Sequence, residues 1–335
     1  MKVVTYLHRH LLGSEKRLGI LVDEKTILDP QNAFSCKMQK DGHYNFLERA
    51  KAICPTSLNA LLKTKETPLE ILKEALEVSN SLQKSGDLTF KDGSKYLIDL
   101  STNKNINLSA PLDKIETYRD FYAHEKHVAT GFKKRGEPIP PAWYEIPAYY
   151  KGATVGFIGP DEEILWPSYT DVLDYELELG MVIGRDGFNV KESSAFKHIF
   201  GFTILNDISA RDIQKKEMQI RLGPAKGKDF CSIIGPVIVT ADEFDSCEPN
   251  LLMTAKVNGV EWSRGQSGDI HFTWAQMIEH VSKDEWIIAG DLFGSGTVGT
   301  GCGLELDKWI KPGDILELEI EKIGILKNVV GKKKS

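Results

Sequence analysis

Two periods share the first hundred residues. Residues 3–7 and 18–28 carry the apolar, β-branched runs of short strands. The stretch RLGILVDEKTILDP turns polar at Asp23, Glu24 and Lys25, which predicts a hairpin there. From 45 to about 85 the apolar positions recur at helical spacing. Thr67-Pro68-Leu69-Glu70 reads as a helix start, because proline in a first turn gives up a donor that has no partner anyway. LEILKEALEV continues that helix, and strand character returns at 95–100. A polar stretch at 101–107 then leads to LSAPL, where a boundary is placed near residue 110.

Beyond it the pattern changes. ATVGFIG, LDYELELGMVIG, FGFTILND, IIGPVIVT, LLMTAKVNGVEW, ILELEIE and IGILKNVV are short apolar runs punctuated by glycine and proline. Helical spacing is confined to about 208–220 and 273–280. The expected class is α+β, mainly β, with a rolled or barrel-like sheet. The expected organisation is a mixed N-terminal accessory domain (1–110), a larger catalytic domain (111–331) and a disordered basic tail (332–335).

Composition narrows the classes. Of 335 residues, 41% are hydrophobic and 27% charged, enough for a sizeable core, and the net charge of −6 argues against a nucleic-acid binder. No apolar run reaches membrane-spanning length, and MKVVTYLHRH lacks the apolar core of a secretion signal, so a cytoplasmic chain without a membrane partner is expected. Cys36, Cys54, Cys231, Cys247 and Cys302 are scattered singly, which predicts free thiols rather than a disulfide framework.

Candidate chemistry begins in LDYELELG. Strand alternation sets Tyr175, Leu177 and Leu179 against Asp174, Glu176 and Glu178. Glu176 and Glu178 would then share a face about 6–7 Å apart. At an effective dielectric near 20, that means a repulsion of about 2–3 kcal/mol. A divalent cation would relieve it, but so would water. ILELEIE alternates in the same way, as sheets with one wet face commonly do.

Other residues add to the picture. Asp207 ends a strand-like run as either a turn residue or a hard oxygen ligand. Ser209-Ala-Arg211-Asp212 has the form of a capping box, with Arg211 and Gln214 on one helical face. His124 and His127 stand three apart, a spacing that suits zinc, but no third soft ligand is evident; alternatively, one of them is a general base. Two glycine motifs are set aside. Gly294-Ser-Gly296-Thr-Val-Gly299 is followed by a strand-like Leu-Glu-Leu rather than a helix. Gly223-Pro-Ala-Lys-Gly227-Lys228-Asp229 is one residue short of a phosphate loop.

Taken in order, the motifs resemble those of the fumarylacetoacetate hydrolase family, over about residues 115–330. They are Asp120-Phe-Tyr122 with His127 five residues on, Glu176-Leu-Glu178, NDISARDIQ, LGPAKGK, Gly-Thr297 and Leu-Glu305-Leu. The resemblance is nearer to fumarylacetoacetase-like members than to the shortest ones. It implies a homodimer and a magnesium, calcium or manganese ion held by Asp120, Glu176, Glu178 and Asp207. It also implies hydrolytic carbon–carbon cleavage of a small β-diketo acid in aromatic catabolism. His127 would activate water oriented by Glu305, and Arg211, Gln214 and Lys228 would stabilise the oxyanion. Tyr122, Tyr150 and Thr297 match positions that contact substrate. Met218 stands where fumarylacetoacetase-like members have a tyrosine, and the expected substrate arginine falls on Gly136, with Arg135 beside it. Decarboxylation of a β-keto acid of the oxaloacetate type, isomerisation or hydration on the same metal site, and a non-catalytic metal-binding scaffold are the alternatives.

Overall fold

The computed structural model describes residues 1–334 except 11–12, 65–66, 87–88 and 91–94. The chain divides into two compact units, Met1–Asp113 and Lys114–Ser335.

In the first unit, strand Lys2–His10 pairs antiparallel with Gly13–Leu21, and Thr26–Leu28 folds back on Ile20 and Leu21. The hairpin turn falls at 23–25, where Asp23 Oδ1 accepts the Lys25 and Thr26 backbone N–H groups at 2.8 Å each. Helices Phe46–Ile53, Leu58–Leu62 and Pro68–Lys84 fill most of the segment with helical spacing, of which 65–66 lie outside the described residues. Pro68–Lys84 buries Ile71, Leu72, Ala75 and Leu82 along one stripe. Periodicity missed helix Pro30–Lys40, whose apolar face is diluted by polar residues. Its N-cap, Asp29, accepts the Asn32 N–H on one oxygen and the Tyr6 hydroxyl and Arg17 Nε on the other.

The second unit is built on sheets. One runs Ser232–Thr240, Ile199–Asn206, Leu177–Ile183, Leu292–Gly294, Tyr118–Phe121, Tyr149–Gly152 as an open succession of neighbours. Its centre is antiparallel, and Leu292–Gly294 lies parallel to Tyr118–Phe121 with Gly294 opposite Asp120. A five-stranded sheet runs Val260–Gln266, Leu252–Val257, Ile315–Ile320, Gly324–Lys333, Glu163–Trp166. The molecule is thus a sheet-rich α+β protein.

Several local expectations need correction. The helix after Asp207 spans Arg211–Ile220 with Ala210 as N-cap and no side-chain cap; Ser209 Oγ instead donates to the Asp207 carbonyl. Leu304-Glu305-Leu306 belongs to a one-turn helix, Gly303–Leu306, not a strand. The basic tail is ordered in the second sheet as far as Lys333, because Gly324–Lys333 pairs with both neighbours; Ser335 lies outside the described residues. Helix Trp274–Ser282 matches its predicted position and carries a complete capping box from Thr273 and Gln276.

Candidate metal centre and active site

Strand Leu177–Ile183 lies in the middle of its sheet, buried on both faces, and every residue from Leu173 to Ile183 is buried. The acidic side of LDYELELG therefore faces protein rather than water. ILELEIE does the opposite: Glu319 is exposed, and Glu317 reaches Lys327 at 3.1 Å near the surface.

Glu176 and Glu178 meet Asp120, which comes from the strand beyond Leu292–Gly294. Oxygens of these three buried carboxylates lie within 4.8 Å of one another. Asp207, fully buried at the end of Ile199–Asn206, joins them through Lys228. The Lys228 ammonium is 2.6 Å from Glu176 Oε2 and 2.5 Å from Asp207 Oδ2. Tyr150 OH donates to Asp207 Oδ2 at 2.6 Å and Ser232 Oγ to Oδ1 at 3.1 Å. Glu178 accepts the Gly296 backbone N–H at 3.2 Å and the Thr297 hydroxyl at 3.3 Å.

The discarded glycine motif is therefore part of the site. A Cβ on Gly294 would stand 2.8 Å from Glu178 Oε2, and Gly296 takes the left-handed backbone that aims its N–H at the same carboxylate. Proximity in sequence hid this, because the motif serves residues more than a hundred positions away.

Asp174 was left out of the predicted site, but it holds Arg211. Its Oδ2 is 2.8 Å from Arg211 Nε and 2.7 Å from Nη2, and its oxygens also accept the backbone N–H groups of Tyr175, Gly303 and Leu304. Arg211 Nη2 lies 2.8 Å from Glu176 Oε1, and Nη1 donates to Gln214 Oε1 at 2.9 Å. That bond leaves the Gln214 NH2 as the end able to donate to another molecule. The fully buried Asp174 could have been suspected from its place in the alternation, two residues before Glu176.

The electrostatics fit a cation. Five buried carboxylates (Asp120, Asp174, Glu176, Glu178, Asp207) face two buried cations, Lys228 and Arg211, leaving three negative charges in excess. Burial, Asp207 and other nearby carboxylates push Asp120 well above the ordinary carboxylate range. Burial together with Asp120 and Glu176 does the same to Glu178. Glu176 is held down at about 2: burial raises it, but Lys228 and Arg211 outweigh burial. Asp120 Oδ1 is buried without a hydrogen-bond partner. Two carboxylates that must otherwise hold protons, one with an orphaned oxygen, suit a hard divalent ion bound by oxygen.

Beside this cluster His127 Nδ1 lies 2.5 Å from Glu305 Oε1. His127 stands in the first turn of helix Glu125–Arg135, and Glu305 on the helical turn Gly303–Leu306. Glu305 Oε2 accepts the Thr300 N–H at 3.0 Å, and the Tyr122 ring packs edge-on against His127 at 5.4 Å. His124, the other candidate, is buried with neither ring nitrogen hydrogen-bonded, and among the described residues the converging groups of metal-ligand atoms include His127 but not His124.

The remaining candidates divide. Tyr122, Tyr150 and Thr297 stand at the site, Tyr150 and Thr297 bonded to its carboxylates. Arg135 is half exposed; its guanidinium lies 4.1 Å from the Phe132 ring centroid, with Glu137 at 3.8 Å. Met218 is half exposed on the helix carrying Arg211.

Residues 116–331 match the model of the fumarylacetoacetate (FAA) hydrolase C-terminal domain. The chain belongs to the fumarylacetoacetate hydrolase family. Its relatives do different chemistry within that family. Oxaloacetate tautomerase YisK of Bacillus subtilis is 38% identical over 163 residues, 48% of this chain, and the match spans about half (53%) of that relative's length. A protein of Archaeoglobus fulgidus is 31% identical over 252 residues, 75% of this chain and 91% of its own. Among solved structures, the manganese- and pyruvate-bound maleylpyruvate hydrolase of Sphingobium sp. SYK-6 shares the fold at a TM-score of 0.68 and 18% identity, covering 100% of both chains. The fumarylacetoacetate hydrolase of Exiguobacterium antarcticum does so at 0.66 and 22%, covering 98% of this chain and 99% of its own.

Proposed function

We propose that the chain is a metal-dependent hydrolase that cleaves a carbon–carbon bond in a small β-diketo acid. The observation that carries this reading is the 2.5 Å contact between His127 and Glu305 beside a buried carboxylate cluster. Hydrolysis needs a base for water, whereas decarboxylation needs no nucleophilic water.

Asp120, Glu176, Glu178 and Asp207 are the residues that would hold the ion, and an all-oxygen set suits magnesium, manganese or calcium. When bound, the ion supplies Lewis-acid polarisation of the keto-acid oxygens. Glu305 accepts the His127 Nδ1–H, which leaves Nε2 with the lone pair that takes a proton from water. The hydroxide adds to the acyl carbon. Arg211, the Gln214 amide and Lys228 donate to the oxyanion, held beforehand by Asp174, Glu176 and Asp207. The carbon–carbon bond then breaks. The leaving carbon departs as an enolate and takes up the proton held on His127, so one water is consumed and two acids result. Tyr122, Tyr150 and Thr297 line the substrate side. Arg135, half exposed and stacked on Phe132, also interacts with the Tyr122 hydroxyl, so it stands at the rim of the substrate side, where a second carboxylate of the substrate would be met.

The identity with an oxaloacetate tautomerase supports a second reading, in which His127 shuttles a proton between carbon and the enol oxygen without water attack. Fumarylacetoacetate, acetylpyruvate, fumarylpyruvate and oxaloacetate, each with and without magnesium, separate the two. Hydrolysis releases pyruvate and acetate from acetylpyruvate. Enol–keto relaxation of oxaloacetate, with every diketo acid left intact, would replace hydrolysis by tautomerisation. Under the hydrolase reading, His127→Ala loses turnover by at least about 10²-fold with metal content unchanged; normal turnover in that variant removes the base from the mechanism.

A further inference from the structure

A second set of ligands converges on the dyad from outside the carboxylate cluster. A ring nitrogen of His127, Sγ of Cys302 and a carboxylate oxygen of Glu305 all lie within 4.8 Å of one another. Cys302 Sγ is 3.7 Å from Glu305 Oε1, the same oxygen that meets His127 Nδ1. The thiol is free, buried, and directly before the helical turn carrying Glu305. Sequence spacing showed no third soft ligand for His127, since Cys302 is 175 positions away and is brought close only by the fold.

We propose that His127, Cys302 and Glu305 form a second metal site, selective for zinc or a comparable borderline-soft ion, whose occupation withdraws the dyad from water activation. Only the inhibitory consequence rests on the dyad reading above; the binding does not.

The donor set makes the selection. Imidazole, thiolate and carboxylate, with a fourth position left to water, is a zinc set, whereas magnesium, calcium and manganese prefer the all-oxygen cluster next door. The two sites can therefore hold different ions at once. Binding is balanced by one proton: the Cys302 S–H bond breaks, its proton goes to solvent and a metal–sulfur bond forms. Glu305 is already an acceptor. If Nδ1 is the ligand, its proton moves to Nε2, and the lone pair that would have served water is gone. Ligands of a tetrahedral zinc, each about 2.0–2.3 Å from the metal, lie ~3.3 Å or more apart, so the 2.5 Å His127–Glu305 contact opens by about an ångström.

Two further features serve such a site. The Thr300 backbone N–H holds the outer oxygen of Glu305 at 3.0 Å, fixing the carboxylate as outer-shell donors do. A cavity of about 220 Å³, lined by Lys126, Arg264, Asp269, Thr300 and Glu305 among others, reaches that carboxylate from the side away from the carboxylate cluster's ligands.

The test uses the magnesium-loaded enzyme titrated with cobalt(II), and separately with zinc during turnover. Cobalt on a thiolate gives a sulfur-to-metal charge-transfer absorption that cobalt on carboxylates lacks. The expected result is that band in the wild type, its persistence in Glu178→Ala and its loss in Cys302→Ser. In Cys302→Ser, half-inhibition by zinc, read against that variant's own zinc-free rate, moves to a concentration about 10–100-fold higher. Absence of the thiolate band overturns the site, and zinc inhibition of equal strength in wild type and Cys302→Ser overturns the inhibition through it. A band that depends on Cys302 while zinc leaves turnover untouched upholds the site but overturns both the inhibition and the dyad reading it rests on.

Discussion

Asp174, Glu176 and Glu178 alternate along one stretch, yet their environments give them different tasks. Glu178 meets Asp120 with few donors around it, so it needs a cation. Glu176 is already paired with Lys228 and Arg211. Asp174 is saturated by Arg211 and three backbone N–H groups, so its task is to aim a guanidinium. Asp174→Asn should therefore lower kcat about 10–100-fold while metal content stays at the wild-type level, because it disturbs a donor and not a ligand. Metal analysis alongside kinetics decides it: loss of metal in that variant would make Asp174 part of the cage. His124 yields a prediction about stability. Burial lowers its folded pKa to about 3; His127 and Lys126 add to the effect and Asp269 opposes it. Its unfolded value is 6.5, so below that pH the unfolded chain binds the extra proton and stability falls as pH drops toward 3. At pH 5 this costs about 2 kcal/mol. His124→Gln should lose about 2 kcal/mol less than the wild type between pH 8 and pH 5 in urea denaturation. Parallel pH curves for the two proteins would contradict it.

Strands and turns decide where such residues meet. Gly294 lies on a strand between Asp120 and Glu178, and a methyl group there would press on both carboxylate ends. Gly294→Ala should displace them and weaken magnesium binding about 10–100-fold, with the fold retained, as measured by calorimetric titration. Unchanged affinity would mean the cluster has more room than its backbone allows. The strands of the second unit were legible because short apolar runs between glycines and prolines leave few alternatives, and helix Trp274–Ser282 because its capping box is local. Leu304-Glu305-Leu306 was misread for the reverse reason: alternation over three residues fits a strand and a single helical turn equally well. The Ser209 pattern failed because the helix starts one residue later, with Ala210 as N-cap, and the Ser209 hydroxyl donates to the Asp207 carbonyl instead of accepting a first-turn N–H. LDYELELG and ILELEIE have one period and opposite fates. Both run into strands paired on either side, but the first is buried through both faces and the second keeps one face wet. Periodicity reports which residues share a face, not what that face meets. That came from the resemblance to the fumarylacetoacetate hydrolase family, which implied that Asp120 and Asp207 stand beside Glu176 and Glu178.

At the scale of the whole molecule, the charge imbalance of the cluster becomes a stability that depends on metal and pH. Without a cation, Asp120 and Glu178 have folded pKa values raised well above their ordinary 3.8 and 4.5, first by burial and then by their carboxylate neighbours. Above those ordinary values the unfolded chain has released protons that the folded chain still holds. Metal-free protein therefore loses stability as pH climbs from about 4–5 toward the raised folded values. A bound divalent ion removes that penalty, because it replaces the protons and is itself bound more tightly as they leave. Its stabilisation should be small at pH 5 and grow toward pH 8, where magnesium at 100 times its Kd adds about 2.7 kcal/mol. For a unit of this size that raises Tm by about 5–10 °C. Thermal melts of chelator-stripped and magnesium-loaded protein at pH 5, 6.5 and 8 measure it. Glu178→Ala serves as control: with one of the two raised carboxylates gone and the cage broken, its melts should be nearly the same with and without magnesium. A magnesium-induced shift equal at all three pH values, or one that survives in Glu178→Ala, would place the ion elsewhere and leave the buried carboxylates to be neutralised by protons alone.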